Sequence, residues 1–565
     1  MEKPISQNRD GKFIFEKKKN NIDMPELINE FENAPSSIES LKKELFSNKG
    51  FFIENSFILT DESAERMANL IHYIKNKIPV LLEGPTGTSK TRTTIIASKY
   101  IQKFYIQKEE DNLLRFNLSQ ETKIDDLISK YVGDQNSFAK IRIEDGAFLK
   151  AYRDGKILLM DEINLAQPSV LQCIQQSLDN KIFSSDITGK GLVTIEMNNN
   201  FALVATQNPN KGAFAGMRKD LPEGFLSRFQ RIVFPGFTEE ELINIAMGLA
   251  EKEKYEDKNK NQIIKDIVKL HLKWQEINKD DIHVFTIREI ENVINALKEK
   301  KELYDILVTL YGARFRENQR KKLIDLFQEF TSFKNLKPKE INIEKDFPFF
   351  PHCYINDSLI NALKSIFFSL NNGRSVIITG EKESGLTQIA RWCAKCFYKM
   401  KHNEDVKSEE CFAICTSIIQ VSELIGSQKT SDNPQNNNEL LVWKDGFLLK
   451  AIIEGKCAVL DSINEAPSTV TEKLNGLLDK KYSIEEEYFD VPENPLNSKI
   501  KIDEYFRIIC TCNYNKLKEQ SPAFLNRFDI ICLENQINKD TSEENYEKLI
   551  SNIFVSIEQN IKIEN

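Results

Sequence analysis

Residues 145–181, DGAFLKAYRDGKILLMDEINLAQPSVLQCIQQSLDNK, return 300 positions later as residues 445–481, DGFLLKAIIEGKCAVLDSINEAPSTVTEKLNGLLDKK. Fifteen of the 37 aligned positions are identical without a gap. Nearly the same offset relates three further pairs: GPTGTSKT (84–91) and GEKESGLT (380–387), TQN (206–208) and TCN (511–513), FLSRF (225–229) and FLNRF (524–528). A period of this size is far too long for a solenoid repeat, so the chain carries a tandem duplication of a whole domain.

At the centre of the repeated stretch, KILLMD (156–161) is an apolar run ending in a carboxylate. PVLLEG (79–84), LLRFNL (113–118), FALVAT (201–206) and RIVFP (231–235) are runs of the same kind, separated by segments with helical spacing. That alternation predicts an α/β fold, a parallel five-stranded sheet flanked by helices. Near-continuous apolar runs further predict strands buried on both faces. Residues 239–330 change character. Ile264, Ile267, Val268, Leu270 and Leu272, then Ile287, Ile290, Val293, Ile294 and Leu297, follow helical spacing and predict an all-helical segment. The expected organisation is a charged N-terminal extension (1–54), a first α/β core (55–236), a helical lid (237–335), a second α/β core (350–534) and the start of a truncated second lid (535–565).

Composition narrows the function classes. A chain of 565 residues with 41% apolar and 29% charged side chains is ordinary for a soluble globular protein. With 77 Lys and Arg against 85 Asp and Glu, the net charge of −8 leaves no basic footprint for nucleic acid. Ten cysteines are too sparse for a disulfide scaffold and favour a reducing compartment, cytoplasmic or nuclear. Cys393-x-x-Cys396 followed by Cys411 and Cys415 has metal-like spacing, yet its place on a helix and near the next strand reads better as small core residues. No apolar run is long enough to span a bilayer, and the start, MEKPISQNRDGKF, has no apolar signal core.

The candidate chemistry lies in the first copy. Gly84, Pro85, Thr86, Gly87, Thr88, Ser89, Lys90 and Thr91 follow the phosphate-loop pattern G-x-x-x-x-G-K-[ST], except that Ser89 stands at its second glycine. Such a loop needs inward amides, a following helix N-terminus, a lysine and a hydroxyl. Lys90 is expected to reach the β- and γ-phosphates and Thr91 to ligate Mg²⁺. A purely structural strand–turn–helix is the alternative. Asp161 ends its strand in position to hold Mg²⁺, and Glu162 follows to orient or deprotonate an attacking water. Both elements fall at strand C-terminal ends, where open α/β sheets bind their ligands.

With FILTDESAERMANLIHYIKNKIPVLLEGPTGTSKT, DGAFLKAYRDGKILLMDEINLAQPSVL, FALVATQNPN and FLSRFQRIVFPGFTEEEL in this order, the chain resembles the AAA+ ATPases of the dynein-related branch. Within that branch it is most similar to the midasin family, large ring ATPases of ribosome maturation. The resemblance covers 55–330 well and 350–534 more weakly. It implies two tandem P-loop AAA+ modules, the first with a helical lid. It departs from the family in having two modules rather than six and in Ser89, where the family has Gly. Carried over position by position, Asn208 resembles the sensor that polarises the lytic water, Arg228 an arginine finger, and Arg288 a second sensor reaching from the lid to the γ-phosphate. Segments 131–146 and 183–200 resemble the β-hairpin inserts of this branch. Plainer roles for the same residues are a turn Asn, an Arg paired with a carboxylate, and a solvated helical Arg.

The second copy is damaged. Leu386 stands where the loop lysine should be, Ser462 stands where the catalytic Glu should be, and Glu381 and Glu383 repel phosphate. Losing the lysine removes a charge-assisted contact worth roughly 1.5–3 kcal/mol. Lys382 sits too early in the loop to replace it, whereas Thr387, Asp461, Asn513 and Arg527 persist. In rings of this branch the finger comes from the next module along the chain, so Arg527 is expected to complete the Gly84–Thr91 site. The resemblance thus implies an ATPase using ATP and Mg²⁺ that remodels a protein or ribonucleoprotein cargo, with further AAA+ modules in a ring by self-association or within a longer chain, and with no membrane partner. A scaffold or slow nucleotide switch, and a fragment of a larger ring ATPase, are the alternatives.

Overall fold

The computed structural model describes residues 37–534 with breaks at 107–111, 119–121, 123, 134–140, 186–192, 209–219, 280–284, 299–301, 339–356, 382–383, 405–410, 431–440, 481–487 and 491–498, together with 6–7 and 13–14. The expected second-lid segment 535–565, and Lys382 and Glu383 of the second loop, lie outside the described residues.

In the first module five parallel strands, β1 (Val80–Glu83), β2 (Leu113–Asn117), β3 (Ile157–Asp161), β4 (Ala202–Gln207) and β5 (Gln230–Val233), pair in the order β5-β1-β4-β3-β2. Side chains alternate across a strand, and the apolar set divides accordingly. Val80, Leu82, Ile157, Leu159, Ala202 and Val204 pack into one layer, with the helices Asp61–Lys75 and Lys90–Ile101. Leu81, Leu158, Met160, Leu203 and Ala205 pack into the other, with the helices Ala147–Asp154 and Pro168–Asn180. Local signals start these helices. Thr60 and Ser63 form a reciprocal cap ahead of Asp61, Pro168 occupies the first turn of its helix, and Thr238 with Glu241 caps the first lid helix.

Two expectations are corrected. The outer strands are not buried on both faces: β2 is half-buried, and β5 is an exposed edge on which Val233 is 61% accessible. An edge strand lacks a neighbour on one side, so composition overstates its burial. Residues 38–54, expected to be part of a helical or flexible charged extension, are helical (Ile38–Ser47 and Lys49–Glu54) but do not stand apart, since Leu41, Leu45, Phe51 and Phe52 join the first core. The antiparallel hairpins 129–133/141–145 and 182–185/193–196 fall on the two segments expected for them.

The second module repeats this topology. Strands β6 (Val376–Gly380), β7 (Phe412–Ile414), β8 (Cys457–Asp461), β9 (Arg507–Asn513) and β10 (Asp529–Leu533) run in the order β7-β8-β9-β6-β10, the first sheet's order read from its other edge. Cys393, Cys396, Cys411 and Cys415 are buried, as core residues would be. Among the described residues no helix is long and apolar enough to cross a membrane.

Between the two sheets lies the lid, with helices Glu239–Lys252, Lys260–Ile277, Ile287–Lys298, Leu303–Leu307 and Glu317–Phe327 packed around Trp274, Phe285, Tyr311, Phe315 and Phe327. The lid also caps the second sheet. The Ala313 carbonyl accepts from the Cys532 amide at 2.7 Å, Ala313 enters the second core, and Arg316 pairs with Glu381 at 2.9 Å. Strand β10 is consequently buried along its whole length, whereas among the described residues its counterpart β5 has its outer edge open.

One lid residue makes this packing pH-sensitive. His271 is buried, with Nδ1 3.0 Å from the Tyr311 hydroxyl. Burial, opposed by Glu289 and reinforced by Arg314, lowers its pKa from 6.5 to about 4. Folding therefore favours the neutral ring. Its stabilisation is whole above pH 6.5 and is lost as pH falls toward 4, reaching about 2 kcal/mol at pH 5. Thermal unfolding between pH 7 and pH 5 is expected to show this fall, and His271→Gln should flatten it.

Candidate active site

The three central strands of the first sheet deliver their C-terminal ends to one rim. Beyond β1 the chain turns through Gly84–Ser89 into the helix Lys90–Ile101. This turn is crowded: a Cβ on Gly84 would lie 2.0 Å from the Phe234 carbonyl oxygen, and one on Gly87 2.5 Å from the Thr286 side chain. Gly87 has φ +85°, open to glycine alone without strain. Ser89 also lies in the left-handed region at φ +65°, and makes no side-chain cap bond to the helix it precedes. The backbone geometry that the family's glycine would supply is thus kept here at a cost in strain.

Lys90 is buried, which for an ammonium requires partners. Its Nζ donates to the Gly84 carbonyl at 2.8 Å, the Pro85 carbonyl at 2.7 Å and Asn208 Oδ1 at 2.8 Å. The Asn208 amide in turn donates to Glu162 Oε1. On the other side of the rim Asp161 accepts from Thr91 Oγ1 at 2.9 Å, Thr206 Oγ1 at 3.0 Å and Arg115 Nε at 2.7 Å. Glu162 is itself left-handed, φ +57°, with its amide donating to Thr206 Oγ1 at 3.1 Å. Loop, strand-end carboxylates and Asn208 are therefore joined by direct hydrogen bonds. The narrow glycine turn, the lysine cradled by carbonyls and the hydroxyl on a carboxylate are a donor set suited to a triphosphate with Mg²⁺.

Three arginines were singled out in the sequence. Arg228 bonds Asp179 through Nε at 2.9 Å and Nη2 at 2.6 Å. Arg288 Nη1 donates to the backbone carbonyl of Asn526 in the second module at 3.3 Å, the residue that precedes Arg527 in the chain. Because Thr286 packs on Gly87, this junction of lid and second module lies beside the loop.

At the second rim the frame survives without the lysine and the glutamate, replaced by Leu386 and Ser462. Thr387 and Thr511 donate to Asp461 at 2.8 and 2.7 Å, and Ser462 keeps the left-handed backbone, φ +56°. Asn513, with no lysine to meet, accepts from the Asn515 amide at 3.0 Å and caps a short helix. Thr206, Asn164 and Arg115 were not anticipated. Asn164, which donates to the Asn208 carbonyl at 2.9 Å, and Thr206 were both discoverable from the repeat, since Asn464 and Thr511 stand at their counterparts. Arg115 has no such signal.

Residues 79–229 and 375–528, together just over half of the chain, match the AAA domain of the dynein-related subfamily. The chain belongs to this family. Among curated relatives, midasin of Giardia intestinalis is 23% identical over 530 residues, covering 83% of this chain and 11% of that protein. Midasin of Dictyostelium discoideum is 32% identical over 175 residues, 30% of this chain and 3% of that protein. The uncharacterized protein YojN of Bacillus subtilis is 28% identical over 207 residues, 36% of this chain and 61% of that protein. The chain spans about a tenth or less of the length of the two midasins.

The two loops offer a paired test of strain. Ser89→Gly trades left-handed strain for extra unfolded-chain entropy, a net gain of about 0.5 kcal/mol. Gly385, at φ +76° with nothing within 4 Å of a Cβ, should lose about 0.5 kcal/mol as Gly385→Ala by the same balance, backbone strain less unfolded-chain entropy. Denaturant midpoints of the two variants measure both.

Proposed function

We propose that the chain binds Mg·ATP at Gly84–Thr91 and hydrolyses it at this site, with the second module serving as a non-hydrolysing partner. The observation that carries this reading is the hydrogen-bonded set Lys90–Asn208–Glu162, ordered beside Thr91–Asp161 on one rim. The loop amides and Lys90 would bind the phosphates, with Lys90 exchanging its carbonyl partners for phosphate oxygens. Thr91 and Asp161 would hold Mg²⁺, which supplies charge neutralisation at the phosphates. Glu162 would take a proton from water oriented with the help of Asn208. Arg288 from the lid and Arg527 from the second module would stabilise charge developing on the transferred group.

Since the lid contacts both Gly87 and β10, a change at the loop would move the second module as well. That is the basis for mechanical work on a protein or ribonucleoprotein cargo, and the midasin likeness suggests large-subunit maturation in the cytoplasm or nucleus. The exposed β5 edge, equivalent to the strand the lid covers in the second module, is the surface we assign to the lid of a further module. That module would come from a second copy or from a longer chain. A nucleotide-binding scaffold or slow switch is favoured by two features of the sequence, Ser89 at the loop's second glycine and the degenerate second copy.

Steady-state phosphate release separates the two. Glu162→Gln is expected to lower kcat by about 10²–10⁴ while keeping nucleotide binding, and Arg527→Ala by about 10³. Equal rates in wild type and Glu162→Gln favour the scaffold. An unchanged rate in Arg527→Ala removes the second module from the site.

A further inference from the structure

Four groups of the first module surround the Asp161 side chain or continue its strand: Thr91, Thr206, Arg115 and Glu162. The duplication shows which of them a merely structural carboxylate requires. In the second module Asp461 retains both hydroxyl donors, Thr387 and Thr511, at the same reach. It loses the Glu, replaced by Ser462, and it loses the arginine. Arg115 faces Leu159 across β2 and β3, and the residue facing the equivalent Val459 across β7 and β8 is Phe412. The second sheet folds with the same strand order and a buried Asp461 without any arginine at that register. An arginine on Asp161 is therefore not needed to build the strand end, and its absence coincides with that of Lys90 and Glu162.

Its geometry gives it a definite effect. Nε of Arg115 lies 2.7 Å from Asp161 Oδ2, while both threonine hydroxyls converge on Oδ1. The Asp161 side chain is 7% exposed, so water screens this pair weakly. The contact fixes which oxygen faces Thr91 and places a full positive charge beside the group expected to hold a divalent cation. A cation there is repelled by Arg115 and attracted by Asp161, so the carboxylate alone binds it weakly. The phosphates of an arriving nucleotide would supply the missing negative charge.

We propose that Arg115 is a positioning residue of the first site: it orients the Asp161 carboxylate and lowers that carboxylate's intrinsic affinity for Mg²⁺, so that the metal is retained only together with the triphosphate. This rests on the reading of Gly84–Thr91 as a Mg·ATP site.

The test is metal affinity, read apart from turnover. Mn²⁺ binding to the full chain without nucleotide, followed by electron paramagnetic resonance, and Mg²⁺ titration of fluorescent ATP-analogue binding are measured on wild type, Arg115→Met and Arg115→Lys. Removing the charge in Arg115→Met is expected to tighten metal binding about tenfold and to lower kcat, a combination that a lost structural contact would not give. Arg115→Lys, which keeps the charge without the fixed Nε, is expected to keep the wild-type metal midpoint and to lose part of kcat. An unshifted or weakened metal midpoint in folded Arg115→Met, with wild type binding Mg·nucleotide normally, overturns the role of Arg115 alone. Wild type that takes up no nucleotide with Mg²⁺ overturns the parent reading and this inference with it.

Discussion

The first rim depends on the way buried polar groups at three strand ends satisfy one another. Lys90 is carried inside the sheet's edge and is kept there by two loop carbonyls and Asn208. Asp161 is kept there by two hydroxyls and an arginine. Each charge would be costly if left without partners in that position. Meeting that requirement brings the Gly84–Thr91 loop, the β3 carboxylates and the end of β4 within hydrogen-bonding distance of one another. The parallel order β5-β1-β4-β3-β2 makes this possible, because it places β4 between β1 and β3.

The second module separates architecture from chemistry. It retains the sheet order, the left-handed turn after the strand-end Asp and both threonines on that carboxylate, while three charged side chains of the first rim are replaced by Leu386, Ser462 and Phe412. What it adds is contact. Its β10 accepts the lid of the first module, its loop residue Glu381 pairs with Arg316, and the carbonyl of Asn526 meets Arg288. The duplicated unit has become a neighbour shaped to the first module, joined to it through the segment Ala313–Arg316.

Much of this was legible in the sequence because its causes are local. The five strand runs announce themselves by apolar composition, the loop by its lysine and hydroxyl, and the duplication by direct identity. The edges were misjudged because burial of β5 depends on whether a neighbour covers it, which no run of residues records. Residues 38–54 read as a charged extension outside the core because their four core side chains are spaced among Lys and Glu on two short helices. Arg115 escaped notice because an arginine in LLRFNL looks like a solvated residue at a strand edge. Only the register against Leu159 places it beside the Asp161 carboxylate.

We propose that the tight nucleotide site is the Gly84–Thr91 pocket and that the second pocket binds weakly at most. Equilibrium binding of an ATP analogue with Mg²⁺, counted as moles bound per mole of folded chain, tests it most directly. The account predicts one per chain in wild type and none in Lys90→Ala. Two per chain, or one retained by Lys90→Ala, would contradict it.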